Sequence, residues 1–204
     1  FQEKGRGQNG RTWESSNTQN ALFSLYLRPA FLSKNHLQTI SFAIGLGVRA
    51  AVQQYLPQAE VKLKWPNDVL ADGKKISGVL IENSLGQDIR SIVGVGLNVN
   101  QTEFVSNNKA TSLSLELKST VDVKEVIELC CSFIEKYYLL AKQSNGVQQI
   151  HKLYVSQLYK LDEDVMVNEQ KWKVKGVDIS GKLEVENNGI TAKLIHNETE
   201  VQWS

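Results

Sequence analysis

Three glycines near the start of the chain, in the string KGRGQNGRTW, spell G-x-G-x-x-G: Gly5, Gly7 and Gly10, with Arg6 and Arg11 inside and beside them. A dinucleotide-binding turn with those letters needs a strand before it, a helix after it and an acidic residue about 20 positions on. Here only Phe1 to Lys4 stand in front, and residues 11–20 carry turn formers with no helical period. The string reads instead as a loop. Its glycines permit close backbone approach and its two guanidinium groups suit an anion, although a solvated surface turn would use the same letters.

The second chemistry-bearing string is KWPNDVL, residues 64–70. Trp65 offers a flat apolar wall, Pro66 fixes the backbone, and Asn67 and Asp68 follow at the mouth of a hairpin. A carboxylate beside a carboxamide and a lysine can hold Mg²⁺ and nucleotide phosphates. An Asn-Asp turn beside a core tryptophan has the same composition. Seven residues after Asp68 comes Lys75, in GKKISGVLIE. If the strands pair across Asp72-Gly73, Lys75 shares the face of Asp68 and Lys74 takes the other. Gly78 would let a ligand approach the strand backbone.

These residues need elements to hold them. ALFSLYL (21–27) reads as a strand, and 33–55 reads as a helix capped by Ser33 and stopped by Pro57. Gly45 and Gly47 inside that helix imply close packing against a sheet, since each costs an isolated helix about 1 kcal/mol. VKLKW (61–65) is a short strand. Asp72-Gly73 is a hairpin turn between 69–70 and 76–81, and 88–100 is a further strand after a turn at 85–87. Helices are expected over 121–141, capped by Asp122, and over 147–159. From Lys160 onward short alternating runs, with turns at Asn168-Glu169, Ser180-Gly181 and 187–189, predict five strands in a small SH3-like barrel. The expected architecture is α+β: a mixed, mostly antiparallel sheet packed with helices over 1–159, then a small SH3-like β-barrel over 160–204.

Bulk properties narrow the function. The 204 residues are 41% hydrophobic and 22% charged, ordinary for a globular protein, and the formal charge of +1 argues against general nucleic-acid binding. The adjacent Cys130 and Cys131 form no disulfide framework, which predicts a reduced, cytoplasmic setting. No apolar run approaches the roughly 18 residues of a membrane span. His36, His151 and His196 lack ligand spacing and read as surface or capping residues. Trp172 and Trp203 read as barrel packing, and the cysteines as poor nucleophile candidates without a nearby histidine pattern.

GRGQNGRTW, KWPNDV, GKKISGVLIE and VGVGLNVN, in that order and spacing, resemble the biotin protein ligases over nearly the whole chain. The resemblance implies a class II synthetase-like catalytic domain, in a form without an N-terminal DNA-binding domain. It also implies an enzyme that activates biotin with ATP and Mg²⁺ to biotinyl-5′-AMP, then transfers biotin to one lysine of a biotin carboxyl carrier domain. By position, Gln2, Gly5 and Arg6 would line the biotin and adenylate cleft with the rest of the glycine loop (Gly7, Gln8, Arg11). Ser24 would reach the ureido ring, Lys75 the biotin carboxylate and α-phosphate, and Gly78 the pocket floor. Asp68 with Asn67 would organise the metal and the incoming amine. Asn98 would face adenine, Trp13 would close the glycine loop, and Lys64 would join Arg6, Arg11 and Lys75 in supplying positive charge.

Several features depart from the family pattern. Gln8 stands where several members carry Arg, removing a charge-assisted contact and leaving neighbouring groups to retain the adenylate. Only Phe104 in 101–109 could cover adenine, and the Ser/Thr-bearing biotin segment expected upstream is absent from this sequence. Lipoate ligation and non-catalytic adenylate sensing are the alternatives. KWPNDV with GRGxxGRxW argues for biotin over lipoate. Neither membrane nor nucleic-acid partners are expected, and monomer and homodimer both stay open.

Overall fold

The computed structural model describes residues 5–6, 12–13, 18–86, 88–104, 109–196 and 198–203. Its first pairing is a two-stranded antiparallel ribbon, β1 (Gly5–Arg6) with β2 (Thr12–Trp13), which sets Gly5 opposite Trp13. Five further strands build the main sheet: β3 (Ala21–Leu27), β4 (Val61–Lys64), β5 (Asp68–Ala71), β6 (Lys74–Leu85) and β7 (Ile89–Leu97). Their spatial order is β3-β7-β6-β5-β4, antiparallel throughout.

Alternation separates the two faces of this sheet. Val93, Val95 and Leu97 are buried on one face, whereas Ile92, Gly94 and Gly96 point to the other. The apolar face is covered by α1 (Gln38–Tyr55), backed by α3 (Val123–Ala141) and α4 (Gly146–Ser156). A short helix, α2 (Leu113–Leu117), was not expected; Ser112 caps it by accepting from the Leu115 amide. Asp122 caps α3 through the amides of Lys124 and Glu125. Gly45 faces Leu63 of the sheet and Tyr154. Gly47 packs on a helix rather than a sheet, because a Cβ there would stand 2.7 Å from the Ile134 backbone.

Among the boundaries that differ from the expectation, two have a clear local cause. The Ser33 hydroxyl contacts His36 Nδ1 at 3.3 Å instead of capping a helix, so 34–36 form a 3₁₀ turn and α1 starts at Gln38. The helix expected over 147–159 ends at Ser156 because 157–159 turn along β4. The Leu63 amide donates to the Gln157 carbonyl and the Tyr159 amide to the Leu63 carbonyl.

The C-terminal strands are β8 (Asp164–Val167), β9 (Gln170–Val177), β10 (Leu183–Asn187), β11 (Ile190–Leu194) and β12 (Val201–Gln202). They form an antiparallel sheet ordered β11-β10-β9-β8-β12. Positive φ at Asn168-Glu169 and Asn188-Gly189 marks the two tight hairpins. Val165, Val167, Val174, Val177, Leu183 and Val185 form its buried side. Among the described residues, no helix is long and apolar enough to cross a membrane.

Candidate functional site

The β5–β6 hairpin builds the site from its turn outward. Asp72 and Gly73 both adopt positive φ, as a two-residue turn requires. The turn sets Ala71 opposite Lys74 and Leu70 opposite Lys75. Lys75 thus shares the open face with Asp68, and its Nζ lies 2.7 Å from Asp68 Oδ1. Lys74 leaves the other way, 3.6 Å from Glu116.

Beyond Lys75 the ladder slips by one residue. Ile76 is the extra residue of a bulge and is fully buried, so Val69 pairs with Ser77 and Asp68 with Gly78. Without the bulge, Ser77 would stand opposite Asp68. With it, the Ser77 hydroxyl turns into the protein to donate to the Gly96 carbonyl at 2.7 Å, and a glycine takes the open face. Gly78 then pairs with Gly96 of β7.

These two glycines form a bare strip of backbone, and the indole of Trp13 lies on it. A Cβ at Gly96 would come within 2.6 Å of Trp13 Cε2, and one at Gly78 within 3.0 Å of Trp13 Cζ3. The Lys75 ammonium stands 5.5 Å from the Trp13 ring centroid, a cation–π distance. Trp13 Nε1 is buried with no acceptor among the described residues. The ribbon carrying Gly5 and Arg6 therefore reaches the Asp68–Lys75 pair through Trp13. Gln2, Gly7, Gln8 and Arg11 lie outside the described residues, and only the backbone of Gly5 and Arg6 is described.

Other candidates take more structural places. Ser24 is exposed on β3, opposite Gly94 on the open face. Asn67 donates through Nδ2 to the Val79 carbonyl, and its own carbonyl accepts from the Val79 amide, so its side chain holds the turn onto β6. Asn98 is buried. It donates to the Thr111 carbonyl at 2.9 Å, while its Oδ1 has no donor among the described residues. Through this contact, and through backbone bonds between Lys75 and Lys109 and Thr111, 109–111 brace the lysine-bearing strand. Lys64 has its ammonium over the Trp203 ring, 5.8 Å from the centroid.

Trp65 is not a wall of the open face. It is 4% exposed and turns to the C-terminal sheet, where its Nε1 donates to the Gly181 carbonyl and His196 meets its ring edge-on. His151 is half-buried, with Nε2 2.6 Å from the Val177 carbonyl. Trp203 pairs with Tyr159 and Lys64 instead of packing solely within its own sheet. On the helix side of the hairpin, a cleft of about 210 Å³ opens between the start of α1, Asn67, Ile81 and His196.

Electrostatics leave the thiols out. Burial, then neighbouring Cys131, pushes the Cys130 thiol up to about 12, so neither a thiolate nucleophile nor a thiolate ligand is available there at neutral pH. Burial, reinforced by the charge of Asp68, also raises the Tyr154 hydroxyl. No group of three or more His, Cys, Asp or Glu stands together among the described residues. Asp68 alone fits a Mg²⁺ that arrives with nucleotide phosphates and takes its other oxygens from phosphate and water.

Reasoning from residues overlooked the role of Gly96. Two glycines spaced by two in VGVGLNVN signal a strip cleared on one strand face.

Residues 1–100 match the model of the Biotin/lipoate A/B protein ligase family. The bifunctional ligase/repressor BirA of Bacillus subtilis is 37% identical over 147 residues, covering 67% of this chain and 43% of that protein. The biotin--[acetyl-CoA-carboxylase] ligase of Mycobacterium tuberculosis is 39% identical over 114 residues, 55% of this chain and 42% of the relative. The chain thus spans under half the length of these relatives. Among solved structures, the biotin protein ligase of Aquifex aeolicus in complex with biotin and ATP superposes with a TM-score of 0.83 at 30% identity. That match covers 100% of this chain and 86% of the other. The chain belongs to this family, and within it to the biotin protein ligases.

Proposed function

We propose that this protein activates biotin with ATP to biotinyl-5′-AMP and transfers the biotinyl group to a lysine of a biotin carboxyl carrier domain. The observation that carries the reading is the convergence of Lys75, Asp68 and Trp13 on a floor made only of backbone. Such a strip seats the flat ring of Trp13 and places a cation beside it, where charge would develop.

In the first step a biotin carboxylate oxygen attacks the α-phosphorus, the bond to the β-phosphate bridge breaks, and pyrophosphate leaves. That chemistry asks for fixed positive charge more than for an acid or base. Lys75 supplies it from the strand, and Arg6, Arg11 and Lys64 are proposed to add to it. Asp68 would hold the Mg²⁺ that accompanies ATP, and the ion would offset charge on the phosphates. In the second step the carrier amine attacks the acyl carbon, AMP leaves with the bonding electrons, and the amine's proton passes to solvent or to Asp68. The Trp13 N–H, which has no acceptor among the described residues, supplies a donor for a bound acceptor. Ser24 and Gly78 are proposed to line the acyl end and Gly5, Gln2, Gly7 and Gln8 to contact the adenylate, while Asn67 and Asn98 hold the hairpin and the neighbouring strand. The catalytic unit is proposed to comprise 1–159 and the SH3-like unit 160–204, working in the cytoplasm.

The test mixes the protein with ATP, Mg²⁺, labelled biotin and a carrier domain. Label on the carrier lysine, with pyrophosphate release that depends on biotin and is not replaced by lipoate, is the expected result. Pyrophosphate release that ignores biotin would refute the proposal.

A further inference from the structure

Trp65 sits between the catalytic hairpin and the C-terminal sheet. It follows Lys64, the last residue of β4, and opens the turn through Pro66 and Asn67 that brings the Asp68 carboxylate to Lys75. Its indole N–H donates to the Gly181 carbonyl at 2.8 Å, and the His196 ring meets it at 5.5 Å and 89°.

The loop presenting that carbonyl is unusually constrained. Asp178 Oδ1 accepts from the Ser180 amide at 2.9 Å, the Ser180 hydroxyl at 2.7 Å and the Lys182 amide at 3.1 Å. Asp178 Oδ2 takes the Lys193 ammonium at 2.9 Å. Gly181 has φ +91°, and a Cβ on it would strike Gln38 Cδ at 2.6 Å. A plain β-hairpin connection between β9 and β10 needs none of this. The constraint does have one external consequence: it holds the Gly181 carbonyl against Trp65, with the Gly181 Cα packed beside Gln38 at the start of α1.

We infer that loop 178–182 of the C-terminal sheet positions the Asp68–Lys75 pair, acting through the Gly181 carbonyl and the Trp65 indole. Trp65, Gly181 and Asp178 are positioning residues in this scheme. None touches the open face, and their effect travels along three residues of backbone to Asp68. The catalytic consequence rests on the ligase reading; the mechanical link does not.

The experiment has two readouts on the full chain: biotin-dependent pyrophosphate exchange, and amide hydrogen exchange across 65–80. Trp65→Phe keeps the ring facing His196 and removes the N–H donor. Loss of one such hydrogen bond is expected to speed amide exchange in the hairpin about 5–10-fold, leaving α3 unchanged. It should lower kcat by a similar factor, with KM for biotin and ATP within about twofold. Combining Trp65→Phe with Asp178→Asn should be no worse than Trp65→Phe alone, because both act through one contact. Asp178→Asn, which leaves both contact residues in place, should give a smaller loss of about threefold and decides the matter if Trp65→Phe fails to fold. Wild-type hairpin exchange and kcat in Trp65→Phe or Asp178→Asn, additive losses in the double variant, or faster exchange spread evenly over the chain would each overturn the inference. A wild-type protein that makes no biotinyl-AMP would sink the ligase reading, while hairpin exchange would still decide the contact.

Discussion

Gly96→Ala separates the stability of the sheet from the use of its open face. Gly96 has ordinary strand geometry, so alanine fits the backbone. Removing a strand glycine contributes about 0.5–1 kcal/mol of stability through the unfolded chain, which alone would raise the melting temperature of a protein this size by roughly 1–4 °C before the cost of displacing the Trp13 ring is subtracted. The open face responds in the opposite direction. The new methyl would stand 2.6 Å from Trp13 Cε2, where contact becomes ordinary only near 3.4 Å, so the indole must move by about 0.8 Å. The neighbour is a rigid ring flanked by Lys75, not the free end of a flexible chain. Misplacing a positioned group by about 1 Å can cost about 100-fold in rate, so a loss of about 10- to 100-fold in kcat/KM for biotin-dependent pyrophosphate exchange is expected, roughly 1.4–2.7 kcal/mol. Thermal melts and the exchange assay on the same preparation give both numbers. If the methyl acts through the indole, it costs nothing further in a Trp13→Ala background. Unchanged exchange in Gly96→Ala, or an equal loss with and without Trp13, would refute the reasoning.

Lys75→Ala, leaving Asp68 without its 2.7 Å partner, should reduce biotin-dependent pyrophosphate release about 100-fold, or roughly 3 kcal/mol; unchanged turnover would remove Lys75 from the chemistry. Burial would by itself raise the Asp178 carboxyl, but hydrogen bonds from Ser180, Lys193 and the Lys182 amide, with the Lys193 charge, outweigh it and bring the group down to about 2. A depressed carboxyl stabilises the fold above its unfolded value near 4 and loses that contribution as pH falls through about 2. Asp178→Asn should therefore be less stable than wild type by about 1 kcal/mol at neutral pH, converging on it near pH 2 in urea titrations. A gap independent of pH would contradict this account. Gly47→Ala drives a methyl to 2.7 Å from the Ile134 backbone and should destabilise by about 2 kcal/mol in denaturant unfolding, whereas a variant as stable as wild type would mean α1 and α3 can part freely.

The elements around the site were legible where local rules act alone. Asp72-Gly73 dictates its hairpin, Asp122 caps its helix, and the alternation in 21–27 and 89–97 sorts one face from the other. Lys75 falls on the face of Asp68 because parity across a two-residue turn leaves no choice. What escaped depends on partners distant in the chain. No local signal says that Ile76 will bulge inward, since that follows from the core it fills. Trp65 reads equally as an apolar wall or as a core residue until Gly181, 116 residues away, is placed against its N–H. Gly47 signals close approach but not what approaches, and a helix answers where a sheet was expected. The C-terminal histidine and tryptophan looked bland for the same reason: their partners, Trp65 and Lys64, belong to the other sheet.

The string KWPND holds together as a unit because its residues answer to different surfaces. Lys64 and Asp68 are cross-strand partners, one reaching Trp203 and the other Lys75. Trp65 is given to the C-terminal sheet, and Asn67 ties the turn to Val79 by both its side chain and its carbonyl. A conservative change at one position cannot be absorbed by its neighbour, since no two of these contacts share an acceptor or donor. Asp68 is consequently fixed from three directions before any ligand arrives: by the ladder to β6, by the Asn67 clamp and by the indole behind it. A carboxylate held in that way can keep Lys75 on the open face while Trp13 rests on the glycine strip, so the positive charge is oriented in advance. Preorganised charge of this kind stabilises a transition state without reorganising during the reaction, and it also explains why the contacts behind the hairpin bear on chemistry in front of it.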